Sequence, residues 1–166
     1  METLAVAFAN SLGKYVAKEV VVFIISMIPI LELRGGLIVA SLLQVPITTA
    51  IPLCILGNII PIPFILLFIK QVFKWLKKVK IFRGLIEKIE NRAMNKSDSI
   101  KQYEFWGLVL FVGIPLPGTG AWTGSLIAAL LEIDMKKAIL AELLGIIIAT
   151  VIMSLFSYGL LGALLG

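Results

Sequence analysis

The sequence has no histidine and a single cysteine, Cys54, which lies inside an uncharged apolar run. Without histidine there is no imidazole to bind a metal or to act as a general base near neutral pH. One cysteine excludes an intramolecular disulfide and a thiolate metal cluster. The two aspartates, Asp98 and Asp134, lie in polar segments, and no Gly-x-Ser-x-Gly motif is present. We therefore expect no catalytic residues, no metal site, no cofactor and no enzymatic activity.

Charged residues are also scarce, at 15% of the 166 residues, whereas 60% are hydrophobic and the mean hydropathy is +1.05. Soluble domains average about 25% charged residues. A helix crosses a bilayer with about 20 apolar residues. The runs that qualify are 20–43 (charged only at Glu32 and Arg34), 45–69, 105–131 and 138–166 (charged only at Glu142). We predict one all-α, multi-pass domain of the cell membrane over residues 1–166, with the lipid bilayer and no nucleic acid as partner.

The one long polar segment, residues 70–104, holds ten of the fifteen basic residues. Short cytoplasmic loops are enriched in Lys and Arg, so this segment is predicted to face the cytoplasm. Its apolar residues recur every three or four positions, at Leu76, Val79, Phe82, Ile86 and Ile89. This spacing predicts a basic amphipathic helix that is either a topology anchor or a lipid-sensing or partner-docking element. Residues 1–19 are predicted to form an interfacial helix rather than a cleaved signal peptide.

An internal repeat becomes visible when the chain is aligned with itself at an offset of 88 residues. Residues 36–68 then match residues 124–156 at twelve of 33 positions without a gap. Leu and Ile often match by chance, so the glycine pairs are the most informative: Gly36 with Gly124 and Gly57 with Gly145. A two-residue gap further upstream aligns Ile28-Pro29 with Ile114-Pro115. Chance similarity between two apolar hairpins is the alternative interpretation.

Each repeat combines a broken apolar segment with an uninterrupted span, and the repeats are assigned to residues 20–69 and 105–160. Repeats of broken helices are typical of secondary transporters, whose substrates bind near the bilayer midplane. We predict an inverted repeat in which each half is a re-entrant broken-helix hairpin plus one transmembrane helix. The basic cytoplasmic helix of 70–104 joins the halves. Hairpins place Lys136 and Lys137 in the cytoplasm, whereas the alternative of fully spanning, kinked helices places them outside.

The two hairpin tips are the predicted substrate site. Gly35 and Gly36 would let the chain turn in the first tip, and residues 113–120, with two prolines, would do so in the second. Helix N-termini bind anions, and the Arg34 guanidinium is a planar fork suited to phosphate or carboxylate. We predict that an anionic, phosphate-bearing lipid or small molecule is bound by Arg34, Gly35, Gly36, Gly118, Thr119, Gly120, Thr123 and Ser125.

Glu32 and Glu142 are the predicted proton carriers, because each carboxyl group lies in an apolar run where burial favours the protonated form. A purely structural alternative is that Arg34 pairs with Glu32 or Glu142 and locks the hairpins together. Glu32 and Arg34 would not face each other on a regular helix, because they are two residues apart. Glu142 could also serve only as an interhelical hydrogen-bond partner.

Two motifs, Glu32-Leu33-Arg34-Gly35-Gly36 and the Pro-Leu-Pro-Gly-Thr-Gly-Ala-Trp-Thr-Gly-Ser segment of residues 115–125, together resemble a known family. It is the small multidrug export protein family, and the resemblance extends over nearly the whole chain. That family looks like a compact relative of the DedA/VTT membrane proteins. The resemblance implies inverted repeats with re-entrant hairpins, movement of lipids such as polyprenyl-phosphate carriers, and a role for Glu32, Arg34 and residues 115–125.

Three functions are compatible with the sequence. The first is a secondary transporter or lipid flippase that holds an anionic group at the two tips and is coupled to protons. The second is an exporter of lipophilic cationic drugs, for which Glu32 and Glu142 would be the binding charges. The third is a non-transporting membrane scaffold or regulator. We also expect a homodimer, because four membrane segments make a thin wall around a pathway.

Overall fold

The computed structural model describes residues 17–95 and 97–160, and every regular element within those ranges is helical. The helices are α1 Lys18–Met27, α2 Glu32–Leu42, α3 Ile47–Ile59, α4 Pro61–Leu76, α5 Lys80–Asn95, α6 Asp98–Gly113, α7 Ala121–Leu130 and α8 Met135–Ser154, followed by a π-helical turn, Leu155–Leu160. The prediction of an all-α fold is therefore confirmed. Most of the interfacial helix predicted for residues 1–19 lies outside the described residues.

Two helices within the described ranges are long and apolar enough to cross a membrane. One covers Ile47–Leu76, where α3 and α4 follow each other through the helical backbone of Ile60. The other, Met135–Gly159, combines α8 with most of the π-helical turn. Shorter apolar helices cover Tyr103–Gly113 and Ala121–Leu130. Length and composition thus fit a membrane protein.

The chain divides into two compact units, and the division falls inside both long helices. The described part of unit 1 comprises residues 17–60 and 146–160. In it α1, α2 and α3 pack against one another, and α2 also contacts the π-helical turn. Its core residues include Val22, Ile25, Leu37, Ala40 and Ala50, each at most 1% exposed.

Unit 2 is the continuous segment Pro61–Gly145. Helix α7 is at its centre and packs against α4, α5 and α6. Its core includes Leu108, Ile127, Ala128, Ala138 and Ala141, all fully buried. The small side chains of Ala128, Ala138 and Ala141 let the helix backbones approach closely, as in other membrane helix interfaces.

The same local geometry occurs in both units at positions that the sequence repeat aligns. Gln44, after α2, and Glu132, after α7, both have left-handed backbone, with φ of 56° and 58°. The N–H of Val45 donates to the Ala40 carbonyl at 2.9 Å, and the N–H of Ile133 to the Ala128 carbonyl at 3.0 Å. These bonds form the same helix C-terminal turn twice, at the sequence offset of 88 residues.

The first helix break does not lie where the sequence analysis placed it. Helix α1 ends at Met27 and α2 begins at Glu32, so Gly35 and Gly36 lie within α2 rather than in the turn. The turn instead uses left-handed backbone at Ile30 (φ 80°) and Glu32 (φ 50°). Pro29 cannot donate a hydrogen bond, which explains a break at this earlier position.

The second break agrees with the prediction, because α6 ends at Gly113 and α7 begins at Ala121. Gly118 (φ 76°) and Gly120 (φ 120°) take up backbone conformations that other residues rarely adopt. The loop therefore depends on its glycines, whereas the break between α1 and α2 does not.

The polar linker contains the predicted amphipathic helix, but the helix is shorter than its apolar pattern suggested. Leu76 ends α4, and Val79 lies in the turn before α5 begins at Lys80. Within α5, Ile86 and Ala93 are buried, whereas Ile81 is 85% exposed. The ion pair of Lys77 with Glu90 connects the turn to α5.

Candidate functional site

In unit 1, the charged residues of the first motif lie directly after the break between α1 and α2. Glu32 is only 4% exposed, Arg34 is half-buried, and the two interact electrostatically. The expectation that they would not face each other assumed helical backbone at both residues. Because Glu32 has left-handed backbone, that geometric rule does not apply at this position. Both side chains also have further polar or electrostatic partners.

Gly35 and Gly36 are buried parts of α2, and their backbone does not turn the chain. The N–H of Gly35 donates to the Leu31 carbonyl at 2.7 Å, so it does not point freely toward a ligand. A Cβ atom on Gly36 would overlap Ser26 Oγ and lie 2.8 Å from Cys54 Sγ. Gly36 is therefore needed in this fold for its small size and not for the conformational freedom that was the basis of its predicted role.

Ser26 and Cys54 form the polar contact beneath Gly36. Ser26 Oγ donates to the Val22 carbonyl at 2.8 Å, and the Cys54 thiol is hydrogen-bonded to Ser26. Both side chains are fully buried. This contact in unit 1 contains no ionisable carboxyl group.

In unit 2, the loop before α7 is held together by the side chain of Thr119. Its hydroxyl lies 3.0 Å from the Ile114 carbonyl and 2.8 Å from the Leu116 carbonyl, and it accepts the Leu116 N–H at 3.3 Å. Thr119 was predicted to bind substrate, but these contacts also give it a structural role. Gly118 and Gly120 lie in the same loop, and Thr123 is half-buried in the first turn of α7.

Two predicted site residues, Ser125 and Glu142, meet in the core of unit 2. Ser125 Oγ lies 2.9 Å from each carboxyl oxygen of Glu142, and both side chains are fully buried. Their predicted roles are separate, substrate binding for Ser125 and proton transfer for Glu142. They are nearly equidistant from the turn that joins α7 to α8. In a helical hairpin, residues at similar distances from the turn lie side by side, so this spacing could have predicted that Ser125 and Glu142 are neighbours.

The glycines that match between the two repeats have neighbours at equivalent positions in the two units. A Cβ on Gly124 would lie 2.9 Å from Val112 and 3.7 Å from Glu142 Oε1. The corresponding neighbours of Gly36 are Ser26 and Cys54. A Cβ on Gly57 would meet the Phe23 carbonyl at 2.7 Å. One on Gly145 would meet the Val109 carbonyl at 2.9 Å. Cys54 and Glu142 thus occupy equivalent places, and at this pair of positions the carboxyl group is found in unit 2 alone.

Outside these cores, Lys70 Nζ lies 2.7 Å from Glu132 Oε1 in an exposed ion pair of unit 2. The hydrogen bond and the charge of Lys70 hold the pKa of Glu132 below its usual range. Within the described ranges, no group of three or more His, Cys, Asp or Glu side chains is placed to hold a metal ion.

A comparison with protein families finds one that covers the motifs described above. The profile of the family described as small multi-drug export protein matches residues 32–152. This range contains every predicted site residue, from Glu32 to Glu142. No curated protein and no solved structure matches the chain.

Proposed function

We propose that this chain, a member of the small multi-drug export protein family, is a secondary transporter that exports an anionic lipid or small molecule in exchange for protons. The family and the two long apolar helices support membrane localisation and an export function. Arg34 is the proposed substrate-binding charge, and Glu142 the proposed proton carrier. The proposed activity is transport without chemical conversion of the substrate.

The observation that carries this proposal is the burial of Glu142 on an apolar helix long enough to span a membrane. A charged carboxylate in such surroundings is costly, and intramembrane carboxyl groups commonly serve as proton relays. Ser125 supplies a hydrogen bond to the carboxyl oxygens. A carboxyl group that alternated between a buried, protonated state and a hydrated, deprotonated state would couple proton flow to transport.

Arg34 is proposed to bind the anionic group of the substrate. It lies three residues after the break between α1 and α2 and is less buried than Glu32. Its guanidinium pairs with two oxygens of a phosphate or carboxylate at once, which lysine does not. The proposed relationship of the family to the DedA/VTT proteins favours a phosphate-bearing lipid as the substrate. The equivalent contacts of Gly36 and Gly124 support the repeat.

The test is the thermal stability of the purified protein in the presence of phospholipids, polyprenyl phosphates and lipophilic cations. We expect phosphate compounds to raise Tm in the wild type and to have no effect on Arg34→Ala. Arg34→Lys should show a weaker rise, because the charge remains but the fork is lost. Lys137→Ala is the matched control, since it removes one positive charge from an exposed position of unit 2.

Stabilisation by phosphate compounds that persists in Arg34→Ala would contradict the role of Arg34. Proton coupling needs a separate measurement, substrate transport into proteoliposomes driven by a pH gradient. Glu142→Gln keeps a hydrogen-bonding partner for Ser125 but cannot release a proton. We expect it to fold, to bind substrate and to lose the response to the gradient.

Export of lipophilic cations is the second candidate, favoured by the deep burial of both intramembrane carboxyl groups. Glu32 is 4% exposed and Glu142 fully buried, and a carboxylate at either position would supply the charge that binds a cation. In the same assay, this function predicts that cations raise Tm in both the wild type and Arg34→Ala. Glu32→Gln or Glu142→Gln should then remove the effect.

The multi-pass topology, a cytoplasmic location for residues 70–104 and a homodimer complete the proposal. Lys88, exposed on α5, offers a position for an introduced cysteine whose labelling from one side of intact cells reports the location. The wild-type Cys54 is buried and should contribute little background. A strictly monomeric mass in a bilayer mimic would contradict the dimer.

A further inference from the structure

Unit 1 contains a line of buried hydroxyl groups at the end of the last long helix. Thr150, Ser154 and Ser157 are buried and follow one another at spacings of four and three residues, so they lie along one side of the helix. The line crosses the point where α8 changes into the π-helical turn. Single π-helical turns occur frequently at functional sites.

Some of these groups have no hydrogen-bond partner. Thr150 Oγ1 donates to the Ile146 carbonyl at 2.7 Å, as hydroxyls in apolar helices commonly do. Ser154 Oγ and Ser157 Oγ are unpartnered among the residues that the structure describes. The same holds for one other buried side-chain oxygen of this unit, Asn58 Oδ1. In an apolar core such oxygens are costly unless a ligand or water binds them.

Helical spacing puts Asn58 on the same face of α3 as Cys54, a residue that interacts with the π-helical turn. Cys54 interacts electrostatically with Tyr158 of that turn, and Asn58 follows Cys54 by one helical turn on the same face. Tyr158 also donates to the Val45 carbonyl at 2.8 Å, next to the start of α3. Ser41 Oγ donates to the Ser157 carbonyl at 2.7 Å, which holds the turn against α2.

We infer that Asn58 Oδ1, Ser154 Oγ and Ser157 Oγ bind a monovalent cation of the size of sodium inside unit 1. Divalent cations are held in proteins chiefly by carboxylates, whereas these three ligands are neutral oxygens. Secondary transporters bind coupling ions with neutral oxygens where a membrane helix is irregular. The inference adds an ion to the proposed function, but cation binding itself depends neither on Arg34 nor on the substrate.

The experiment measures Tm of the purified protein in equal concentrations of sodium, potassium and choline chloride. At about a hundredfold excess over Kd, a bound ion should raise Tm by roughly 5–10 °C, and choline, which is too large, should not. Ser157→Ala and Asn58→Ala should each remove the sodium response. In choline, Ser157→Ala should melt no lower than the wild type, because it deletes an unpartnered buried hydroxyl.

Thr150→Val is the matched control, since it deletes a neighbouring buried hydroxyl whose hydrogen bond is already satisfied. It should keep the sodium response, and so should Arg34→Ala even if the proposed substrate is wrong. If Ser157→Ala does not fold, Ser154→Ala replaces it. A Tm that is the same in all three salts would overturn the cation site. A sodium response that survives in every variant would overturn it as well.

Discussion

The two units build similar helix packing around different chemistry. Beneath Gly36 in unit 1 lie a serine and a cysteine, whereas beneath Gly124 in unit 2 lie a valine and Glu142. Unit 1 has several buried neutral oxygens besides the buried carboxyl group of Glu32, whereas unit 2 has the buried carboxyl group of Glu142 with a serine partner. The two units therefore share their helix packing but not the polarity of their cores. That polarity depends on which side chain each unit has at an equivalent position.

The largest effects are expected where the units agree, at Gly57 and Gly145. An added methyl group would lie 2.7 Å from the Phe23 carbonyl in one and 2.6 Å from Val112 Cβ in the other. Because these neighbours are backbone or Cβ atoms, they cannot move aside cheaply. Gly57→Ala and Gly145→Ala should each lower the free energy of unfolding by about 2–3 kcal/mol, measured by denaturant titration in detergent.

Gly84→Ala is the control for both substitutions, since a Cβ there meets nothing within 4 Å. It should raise stability by about 0.5–1 kcal/mol, as alanine does in an exposed helix. If only one of the two buried substitutions is destabilising, the equivalence of the units at this contact is wrong.

A smaller effect should distinguish the units at their buried serines. Ser125→Ala removes a hydrogen bond from the fully buried Glu142 and should cost about 1–3 kcal/mol. Ser26→Ala removes a donor to a carbonyl of its own helix and should cost less than about 1 kcal/mol. Thermal unfolding of the two variants side by side tests this. Equal losses would mean that Glu142 does not depend on Ser125.

The smallest expected effect concerns the two left-handed turn residues, Gln44 and Glu132. A glycine at either position should relieve backbone strain, by about 1 kcal/mol for Gln44→Gly. Glu132→Gly should raise the stability of the fold by less at neutral pH, because this substitution also removes the ion pair with Lys70.

The difference in stability between the Gln44→Gly and Glu132→Gly variants should depend on pH, because the pKa of Glu132 is lowered from its ordinary value of 4.5. Because the folded-state pKa of Glu132 is lowered, the ion pair stabilises the fold fully at pH values above the ordinary pKa. This stabilisation is lost as the pH falls through the lowered pKa. The two glycine variants should therefore become equally stabilising in acid, as measured by Tm against pH. A difference that persists there would show that the ion pair is not its cause.

Much of this fold follows from sequence patterns with a direct physical cause. The length of apolar runs predicts the helices long enough to span a membrane, and Pro115, Pro117 and the loop glycines predict the second break. The first break was misplaced because glycine has two uses, conformational freedom and small size. The sequence alone does not distinguish them, and left-handed backbone at Ile30 and Glu32 has no sequence signal.

The sequence singles out the candidate residues but does not reveal the contacts that they make. Glu32, Arg34 and Glu142 stand out as charges in apolar runs, and their burial agrees with that reading. The pairing of Ser125 with Glu142 depends on how α7 and α8 are rotated in their hairpin, which the repeat alone does not reveal. The unpartnered Ser154 and Ser157 were missed because serine is common in membrane helices. Only the packing shows that these two are buried.

The division of the chain has a consequence for its synthesis. Unit 2 is one continuous segment, but unit 1 is completed by residues that follow it, from Ile146 onward. Because a chain leaves the ribosome from its N-terminus, every residue of unit 2 is made before unit 1 is complete. During synthesis, α1, α2 and α3 therefore lack the remaining part of unit 1 until the residues from Ile146 onward have been made. That late helix brings Ser154 and Ser157, so the inferred cation site forms last.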